Sequence, residues 1–226
     1  MTAYQGVTGP VFSDLFTTFE FGMAVHPRGP ASAPGGSSPL YFTRGRPVEW
    51  VAGHLDRMGT PKDAIQRIFT PKDGMQVNVG RMEKYAQQFL LTCDCLGTCG
   101  RGQINRFNSS KLQAELYSAV TGFETSTEQL IKASERVFNL LKAANVREGF
   151  DRNHDRFPVQ WFGEKKHKDY YEHIEITEEI VYKMLDDFYD ERGWDVKTGI
   201  PTKKKLRELE LDYVIEDAKK LGIEYP

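Results

Sequence analysis

Apolar residues recur at helical spacing through the second half of the 226-residue chain, and this pattern constrains the fold more than any other feature. Ser126 and Gln129 form a capping box that opens a helix running to about Gly149. Its predicted apolar stripe consists of Leu130, Ile131, Val137, Phe138, Leu141 and Ala144. No convincing run alternates apolar and polar residues at the period of two that is typical of a half-buried strand. The sequence therefore predicts a mostly α, multihelical fold.

Further helices are predicted on both sides of this one. Ser109 and Ser110 cap a helix that reaches about Thr121, and its short link to the Ser126 helix favours an antiparallel hairpin. Thr177 caps another helix, which Gly193 ends. The predicted buried faces are Leu112, Leu116, Tyr117 and Val120 in the first of these helices, and Ile180, Val181, Met184, Leu185 and Phe188 in the second. Shorter helices are predicted over 61–69 and 212–221, and a longer one over 75–91 leads to the cysteines.

The first third of the chain differs in composition. Residues 1–75 are rich in Gly and Pro and predict an irregular, loop-rich segment with aromatic anchors, whereas 76–226 predict a helical domain. The run over 27–39 reads either as a flexible linker or as an ordered loop pinned by the flanking aromatic residues. Arg28 and Arg44 lie beside flexible backbone, which suits phosphate recognition, although ordinary surface arginines have the same appearance.

Charge and composition narrow the choice of partner. Thirty basic and 32 acidic residues give a formal net charge of −2, so no overall field attracts nucleic acid or a membrane surface. Hydrophobic residues make up 39% of the chain, which is enough for a core, and no run approaches the roughly 20 apolar residues of a spanning helix. The start of the sequence lacks the pattern of a signal peptide, and we expect a cytoplasmic protein.

All three cysteines, Cys93, Cys95 and Cys99, fall within seven residues that also hold Asp94 and Gly97. Thiolates are the ligands that iron–sulfur clusters and zinc select, but three cysteines make an incomplete tetrahedral set. Incidental or buried thiols on a turn are the alternative, and a disulfide is disfavoured by the spacing and by the absence of other cysteines. Glycines after Asp94 predict a turn whose N–H groups are open to a ligand.

The order of these pieces resembles the C-terminal part of the tungsten-containing aldehyde:ferredoxin oxidoreductase family, which includes the tungsten subunit of the ATP-independent benzoyl-CoA reductase. The resemblance covers most of the chain from about residue 20. It rests on His26-Pro-Arg-Gly29, Asp94-x-x-Gly97-x-Cys99, Ser134-Glu-Arg136, Phe138-Asn139, Arg147-Glu-Gly-Phe150, Tyr189-x-x-Arg192-Gly-Trp194, Gly199-Ile-Pro-Thr202 and Leu206-x-x-Leu209.

The resemblance implies two cofactors, a tungstopterin (tungsten bis-molybdopterin) and a [4Fe–4S] cluster that passes electrons to ferredoxin or another electron-transfer subunit. It implies that Cys99 is the fourth cluster ligand and that Asp94 accepts a hydrogen bond from a pterin. The backbone of Cys95, Leu96, Gly97 and Thr98 would lie against the cofactor. Cys93 and the side chain of Cys95 have no assigned counterpart, and no catalytic residue is assigned.

The sequence departs from the family pattern in three ways. The upstream C-x2-C-x3-C run and the N-terminal pterin-binding domain are absent, so we expect a fragment or one part of a split enzyme, inactive without its missing portion or partner subunit. His26 stands where aspartate is usual. Residues 33–38 differ from the stretch that is typical of aldehyde oxidisers. Oxidation of an aldehyde or related carbonyl compound therefore has two alternatives, reduction of an aromatic acyl-CoA and a non-catalytic helical interaction module.

Overall fold

The computed structural model describes residues 15–28, 46–99, 108–163, 167–169, 171 and 174–226. Within these ranges nine α-helices make up the architecture, and β-structure is limited to isolated bridges such as the one between Leu15 and Lys168. The helices are α1 (Thr18–Val25), α2 (Val48–Arg57), α3 (Lys62–Ile68), α4 (Val79–Leu96), α5 (Ser110–Thr121), α6 (Thr127–Arg147), α7 (Glu178–Arg192), α8 (Lys203–Glu208) and α9 (Asp212–Lys220). The mostly α prediction is confirmed.

Helix α4 is the centre of the fold, and α1, α3, α6 and α7 pack around it. Its side chains are buried on nearly all sides from Val79 to Cys93. The side chain of Asn78 caps the first turn by accepting a hydrogen bond from the Arg81 N–H at 3.0 Å. Because α4 is enclosed by other helices, its C-terminal end is fixed relative to the rest of the molecule.

The contact between α4 and α7 is close and carries charge. A Cβ atom at Gly80 would lie 2.0 Å from the carbonyl oxygen of Met184, so only glycine permits this approach. Beside it, Arg81 forms ion pairs with Asp187 at 2.9 Å and with Glu191 at 2.6 Å. Burial alone would raise the pKa of Glu191, but the hydrogen bonds from its arginine and tyrosine neighbours hold it down at about 2.

Two apolar clusters stabilise the fold. The main core joins α1, α2, α3, α4, α6 and α7 with aromatic residues from the segments before α1, after α6 and after α7. Its members include Phe16, Phe21, Leu55, Ile68, Met82, Phe138, Phe157, Trp161, Met184, Leu185, Phe188 and Trp194. A second cluster joins the end of α6 to α8, α9 and the C-terminal residues through Val146, Leu206, Leu209, Leu211 and Tyr225. Side chains on both sides of residue 75 share the main core.

A buried polar group lies between α4, α6 and α7. Arg192 is 1% exposed, and its Nη2 donates a hydrogen bond to Gln87 Oε1 at 2.6 Å. Its guanidinium carbon lies 3.6 Å from the ring centroid of Phe138. Burial lowers the pKa of Arg192 to about 9, and the nearby carboxyls of Glu135 and Glu83 oppose that change. The arginine of the Tyr189-x-x-Arg192-Gly-Trp194 motif therefore joins three helices inside the core.

Helix boundaries and caps agree with the predictions at most positions in the second half. The capping box of Ser126 and Gln129 opens α6, Thr177 caps α7, and Gly193 ends α7 in the left-handed conformation with φ 68°. Helices α1 and α2 lie in the segment predicted to be irregular and were not predicted individually. These two helices are short and are stabilised by tertiary contacts, so the surrounding prolines and glycines were the stronger local signal in the sequence.

Helix α5 packs against α6, but its predicted buried face is wrong. The buried residues of α5 are Ser110, Gln113 and Ala114, whereas Leu116 is 54% exposed and Val120 is 83% exposed. The polar face is buried because it binds to its neighbours: Ser110 Oγ donates to the Met58 carbonyl and Gln113 donates to the Cys93 sulfur. The apolar residues do lie along one face of α5, as predicted, but that face is exposed and not buried.

Candidate cofactor-facing site

The Asp94-x-x-Gly97-x-Cys99 motif lies where the central helix reaches the surface. Residues of α4 are buried up to and including Cys93, and the chain becomes exposed from Asp94 to Cys99, with Leu96 half-buried. Asp94, Cys95 and Leu96 form the last turn of α4, which continues past the predicted apolar stretch 75–91 and ends at Gly97, as predicted. The motif is therefore an exposed wall on a rigid support.

Gly97 ends α4 in the left-handed conformation, with φ 67°, where a side chain would be strained. Its N–H donates to the Asp94 carbonyl at 3.2 Å, and the Thr98 N–H donates to the Cys93 carbonyl at 2.9 Å. The prediction of N–H groups open to a ligand is wrong for these two residues, because both groups complete the helix end. Gly100 and Gly102, which supported that prediction, lie outside the described residues.

An ion pair between Arg28 and Asp94 brings two distant motifs together. A guanidinium nitrogen of Arg28 donates to the Asp94 carboxylate, across 66 positions of sequence, and both side chains are 36% exposed. The carboxylate lies at the C-terminal end of α4, where the helix dipole is negative, so a cation is the favoured neighbour. Residues 26–28 of the His26-Pro-Arg-Gly29 motif thus lie beside the end of α4.

Three contacts hold the Arg28 segment in place. His26 ends α1, and its N–H donates to the Gly22 carbonyl at 3.0 Å. The His26 ring is 4% exposed and packs edge-on against Phe138 at 5.7 Å. From α6, Asn145 Nδ2 donates to the Pro27 carbonyl at 2.9 Å. The segment is therefore fixed from α1 and from α6.

Histidine at position 26 is compatible with these surroundings because it is uncharged. Burial lowers the pKa of His26 to about 3, and the positive charges of Arg28 and Arg192 lower it further in the same direction. Its Nδ1 accepts the Arg28 N–H at 3.2 Å, so the neutral ring carries its proton on the other nitrogen. Because the His26 ring carries no charge, it does not compete with Asp94 for the Arg28 guanidinium.

The three thiols lie in different environments. Cys93 is fully buried, and its sulfur accepts hydrogen bonds from Gln113 at 2.9 Å and from Asn108 at 3.9 Å. Burial raises the pKa of the Cys93 thiol. Burial also raises the pKa of Cys95, although that residue is exposed, and the Asp94 charge adds to the effect. Cys99 is free and exposed.

These residues fit a share of an iron–sulfur centre and part of a pterin site. An exposed free thiol at Cys99 can supply one soft ligand, and the Asp94 carboxylate can accept hydrogen bonds from N–H donors such as those of a pterin ring. Among the residues that the structure describes, no three His, Cys, Asp or Glu side chains are grouped so that they could hold a metal ion.

Sequence reasoning did not find all residues that shape this site. Arg28 was interpreted as either a phosphate ligand or an ordinary surface arginine and not as the partner of Asp94, and the supporting roles of Asn145 and Gln113 were missed. Asn145 and Gln113 lie on helices whose predicted faces were assigned from apolar residues alone. Since both side chains act through long-range hydrogen bonds, no local pattern marks them.

No helix in the described ranges is long and apolar enough to cross a membrane. By fold, the chain is similar to a solved chain of the active-site complex BamBC of benzoyl coenzyme A reductase in complex with 1,5-dienoyl-CoA, with a TM-score of 0.66 and 20% sequence identity. The match covers 92% of this chain and 32% of that one, so the chain spans about a third of the length of the solved chain.

The sequence itself matches a family over 191 of its positions. Residues 21–211 match the family described as aldehyde ferredoxin oxidoreductase, domains 2 and 3. This range includes both motifs that the Arg28–Asp94 pair brings together and ends at the start of α9. The chain therefore belongs to the aldehyde ferredoxin oxidoreductase family, as a representative of the region that contains its second and third domains.

Proposed function

We propose that this chain forms one wall of the cofactor site in a tungstopterin and iron–sulfur oxidoreductase that acts on an aldehyde or a related carbonyl or acyl compound. The observation that carries the proposal is the Arg28–Asp94 pair, which assembles two family motifs into one exposed surface. When bound, the tungstopterin would supply two-electron chemistry at the metal and the cluster would pass the electrons on.

The protein's share of this chemistry is to bind and orient. Asp94 would accept hydrogen bonds from pterin N–H groups, and its position at the negative end of the α4 dipole favours donors over phosphate groups. Arg28 would hold the carboxylate in a fixed orientation by donating a hydrogen bond to it. Gly97 fixes the direction in which the chain leaves α4 towards Cys99.

Cys99 would supply a single thiolate to a [4Fe–4S] cluster, and the other three ligands would come from the missing portion or a partner subunit. Electrons would then pass to ferredoxin or another electron-transfer subunit. The exposed, unpaired thiol supports this role, and the burial and hydrogen bonds of Cys93 support its exclusion. The chain by itself would be catalytically inactive because it holds one wall of the site.

Reduction of an aromatic acyl-CoA is a second candidate reaction. It is favoured by the fold similarity to a chain from a benzoyl coenzyme A reductase complex that contains a dienoyl-CoA. Both reactions place the same demands on Asp94 and Cys99, which contact cofactors and not substrate. The choice between them depends on residues outside this wall.

The proposal is tested by metal content in an enzyme reassembled from this chain and its missing portion. Cys99→Ser should remove the cluster absorbance while much of the tungsten stays bound, because an alkoxide is a poor substitute for a thiolate. Asp94→Asn should leave iron unchanged and lower the tungsten content, since the charge-assisted hydrogen bond it removes contributes on the order of 1.5–3 kcal/mol. Elemental analysis and visible spectra give both readouts.

Cys95→Ser serves as the matched control, because Cys95 lies in the same motif and is also exposed. It should retain both metals. Loss of the cluster in Cys95→Ser with retention in Cys99→Ser would show that the ligand assignment is misaligned. An assembly of wild-type chain that contains neither iron nor tungsten or molybdenum would favour the helical interaction module instead.

A further inference from the structure

The outer face of α5 carries a continuous row of exposed apolar side chains. We define this outer face by its four members, which lie on successive turns and just past the helix end: Leu112 (37% exposed), Leu116 (54%), Val120 (83%) and Phe123 (68%). Single exposed apolar residues are common on protein surfaces, but a row of three on one helix, continued by a fourth just past its end, is a patch.

Little charge interrupts the outer face. The charged residues of α5 are Lys111 and Glu115, and they pair with each other across one turn at 3.8 Å. The polar residues that would normally face water are buried on the opposite side, where Gln113 binds the Cys93 sulfur and Ser110 binds the Met58 carbonyl. The amphipathic pattern of α5 is thus inverted relative to the body of this chain, which indicates that another surface covers its apolar side.

We propose that the outer face of α5 is a docking surface for the portion of the aldehyde ferredoxin oxidoreductase fold that lies outside this chain. About two thirds of the similar solved chain has no counterpart here, because the match covers 32% of it. A fold of that length has interior surfaces that a third of its chain would leave exposed. Whether one polypeptide or two carry the missing portion does not alter the contact.

The position of α5 supports this occupant over others. Gln113 attaches the buried side of α5 to Cys93 at 2.9 Å, one residue before Asp94, so α5 packs on the end of α4 that carries the cofactor-facing motif. The other walls of that site would come from the same missing portion, which would therefore pass close to α5. The inference rests on the proposed function for the identity of its occupant.

The nearly uncharged row also indicates the chemistry of the partner. Obligate interfaces resemble a protein core, whereas transient ones retain polar and charged residues. The docking partner should therefore present an apolar surface of its own, in a permanent contact. Binding is expected to depend weakly on ionic strength, because the Lys111–Glu115 pair is the charge on this helix.

The test measures assembly without cofactors. The chain and the separately produced upstream portion of the same enzyme are mixed in the absence of metals and pterin, and complex formation is followed by sedimentation velocity. The double variant L116Q/V120Q should bind at least about tenfold more weakly than the wild type, since it places amide groups in the apolar contact. The control variant V159Q/L221Q changes two residues that are 77% and 61% exposed elsewhere, and it should bind as the wild type does.

Far-UV circular dichroism of each variant checks that the fold is kept. Equal binding by L116Q/V120Q and wild type would overturn the proposal, as would the absence of any complex with the wild type. A wild-type chain that forms a dimer by itself, lost in L116Q/V120Q, would assign the outer face to a second copy and would also overturn it. Hydrogen exchange at α5, measured with the two parts joined in one polypeptide, gives a second readout: no added protection would contradict docking.

The outcome is separable from that of the proposed function. Complex formation that is sensitive to L116Q/V120Q, in an assembly that never retains iron or tungsten, would support the docking surface and overturn the cofactor role. Retention of both metals in an assembly that forms equally well with L116Q/V120Q would support the cofactor role and overturn the docking surface.

Discussion

Helices α7 and α5 both carry apolar stripes that are visible in the sequence, but they use them differently. In α7 the stripe is inside the main core, with Val181, Leu185 and Phe188 fully buried. In α5 the stripe faces outward, and Val120 is 83% exposed. The two helices therefore share a pattern and differ in whether the other residues that the structure describes bury it.

The difference teaches that an apolar stripe predicts a buried face without predicting what buries it. Helix α7 lies directly against α4, where Gly80 permits close approach and Arg81 pairs with acidic residues of α7. Helix α5 is attached through polar contacts of Ser110 and Gln113. Perturbation of the two helices should separate stability of this chain from assembly with another surface.

The largest effect is expected in the core of α7. Phe188→Ala removes a ring that is fully buried against Phe21 and Trp194, and it should lower the free energy of unfolding by about 3–5 kcal/mol through lost burial and a cavity. Urea denaturation of the isolated chain measures it. A loss below about 1 kcal/mol would show that the α7 stripe is not a core element.

A pH-dependent effect is expected from Glu20, which α1 places inside the protein at 3% exposure. Burial raises its pKa to about 7 from an ordinary value of 4.5, although Thr17 donates hydrogen bonds to it. The folded chain therefore holds this proton more tightly than the unfolded chain does. Its contribution is complete below about pH 4.5 and is lost as the pH rises to about 7, an effect on the order of 3 kcal/mol.

His26 opposes this trend, because its pKa is lowered to about 3, so its contribution grows as the pH rises towards 6.5. The difference between wild type and Glu20→Gln isolates the carboxyl: unfolding free energies at pH 4.5 and 7.5 should show the Glu20 advantage shrinking with pH. Glu115→Gln on exposed α5 is the control and should follow the wild-type curve. A wild-type advantage that stays constant with pH would contradict a buried, protonated Glu20.

A smaller effect is expected where α4 meets α7. Gly80→Ala would place a Cβ atom against the Met184 backbone and should destabilise the chain by about 1–3 kcal/mol, because neither helix backbone can yield cheaply. Gly53→Ala in α2 is a matched control with open space around it, and it should stabilise by about 0.4–1 kcal/mol. Thermal unfolding of both variants would show shifts of opposite sign. Shifts of the same sign would contradict the close approach.

The smallest effect is expected on the outer face of α5. Leu116→Ala should change the stability of the isolated chain by less than about 0.5 kcal/mol, since the side chain is 54% exposed and leaves no cavity. Urea denaturation of Leu116→Ala and Phe188→Ala under the same conditions compares their free energies of unfolding directly. A loss of 2 kcal/mol or more, the magnitude typical of a buried leucine, would place Leu116 inside this chain's own core and remove the contrast between the helices.

Capping residues were the most dependable part of the prediction. Ser109, Ser126 and Thr177 each accept a backbone N–H within three residues, and Gly97, Gly122 and Gly193 each adopt the left-handed conformation that ends a helix. These signals are local, so they hold whatever the rest of the chain does. Predictions of buried faces were less dependable, as α5 shows, because they depend on neighbours.

Some features of the candidate site were also predictable from local sequence, whereas others depended on the fold. The motif residues from Asp94 to Cys99 were selected from sequence, and the structure places them where α4 becomes exposed. Their roles as cofactor contacts remain a prediction. The Arg28–Asp94 pair, the neutral state of His26 and the burial of Cys93 under Gln113 required the fold.

By itself the sequence determined the helical class, the positions of most helix ends in the second half and the family motifs, because capping, left-handed glycines and short motifs depend on residues a few positions apart. Tertiary structure alone decided which side of α5 is buried, that residues 28 and 94 meet, and that α4 is surrounded by other helices. Those outcomes depend on contacts between residues far apart in sequence, whose energies are set by burial and by the charges that folding brings together.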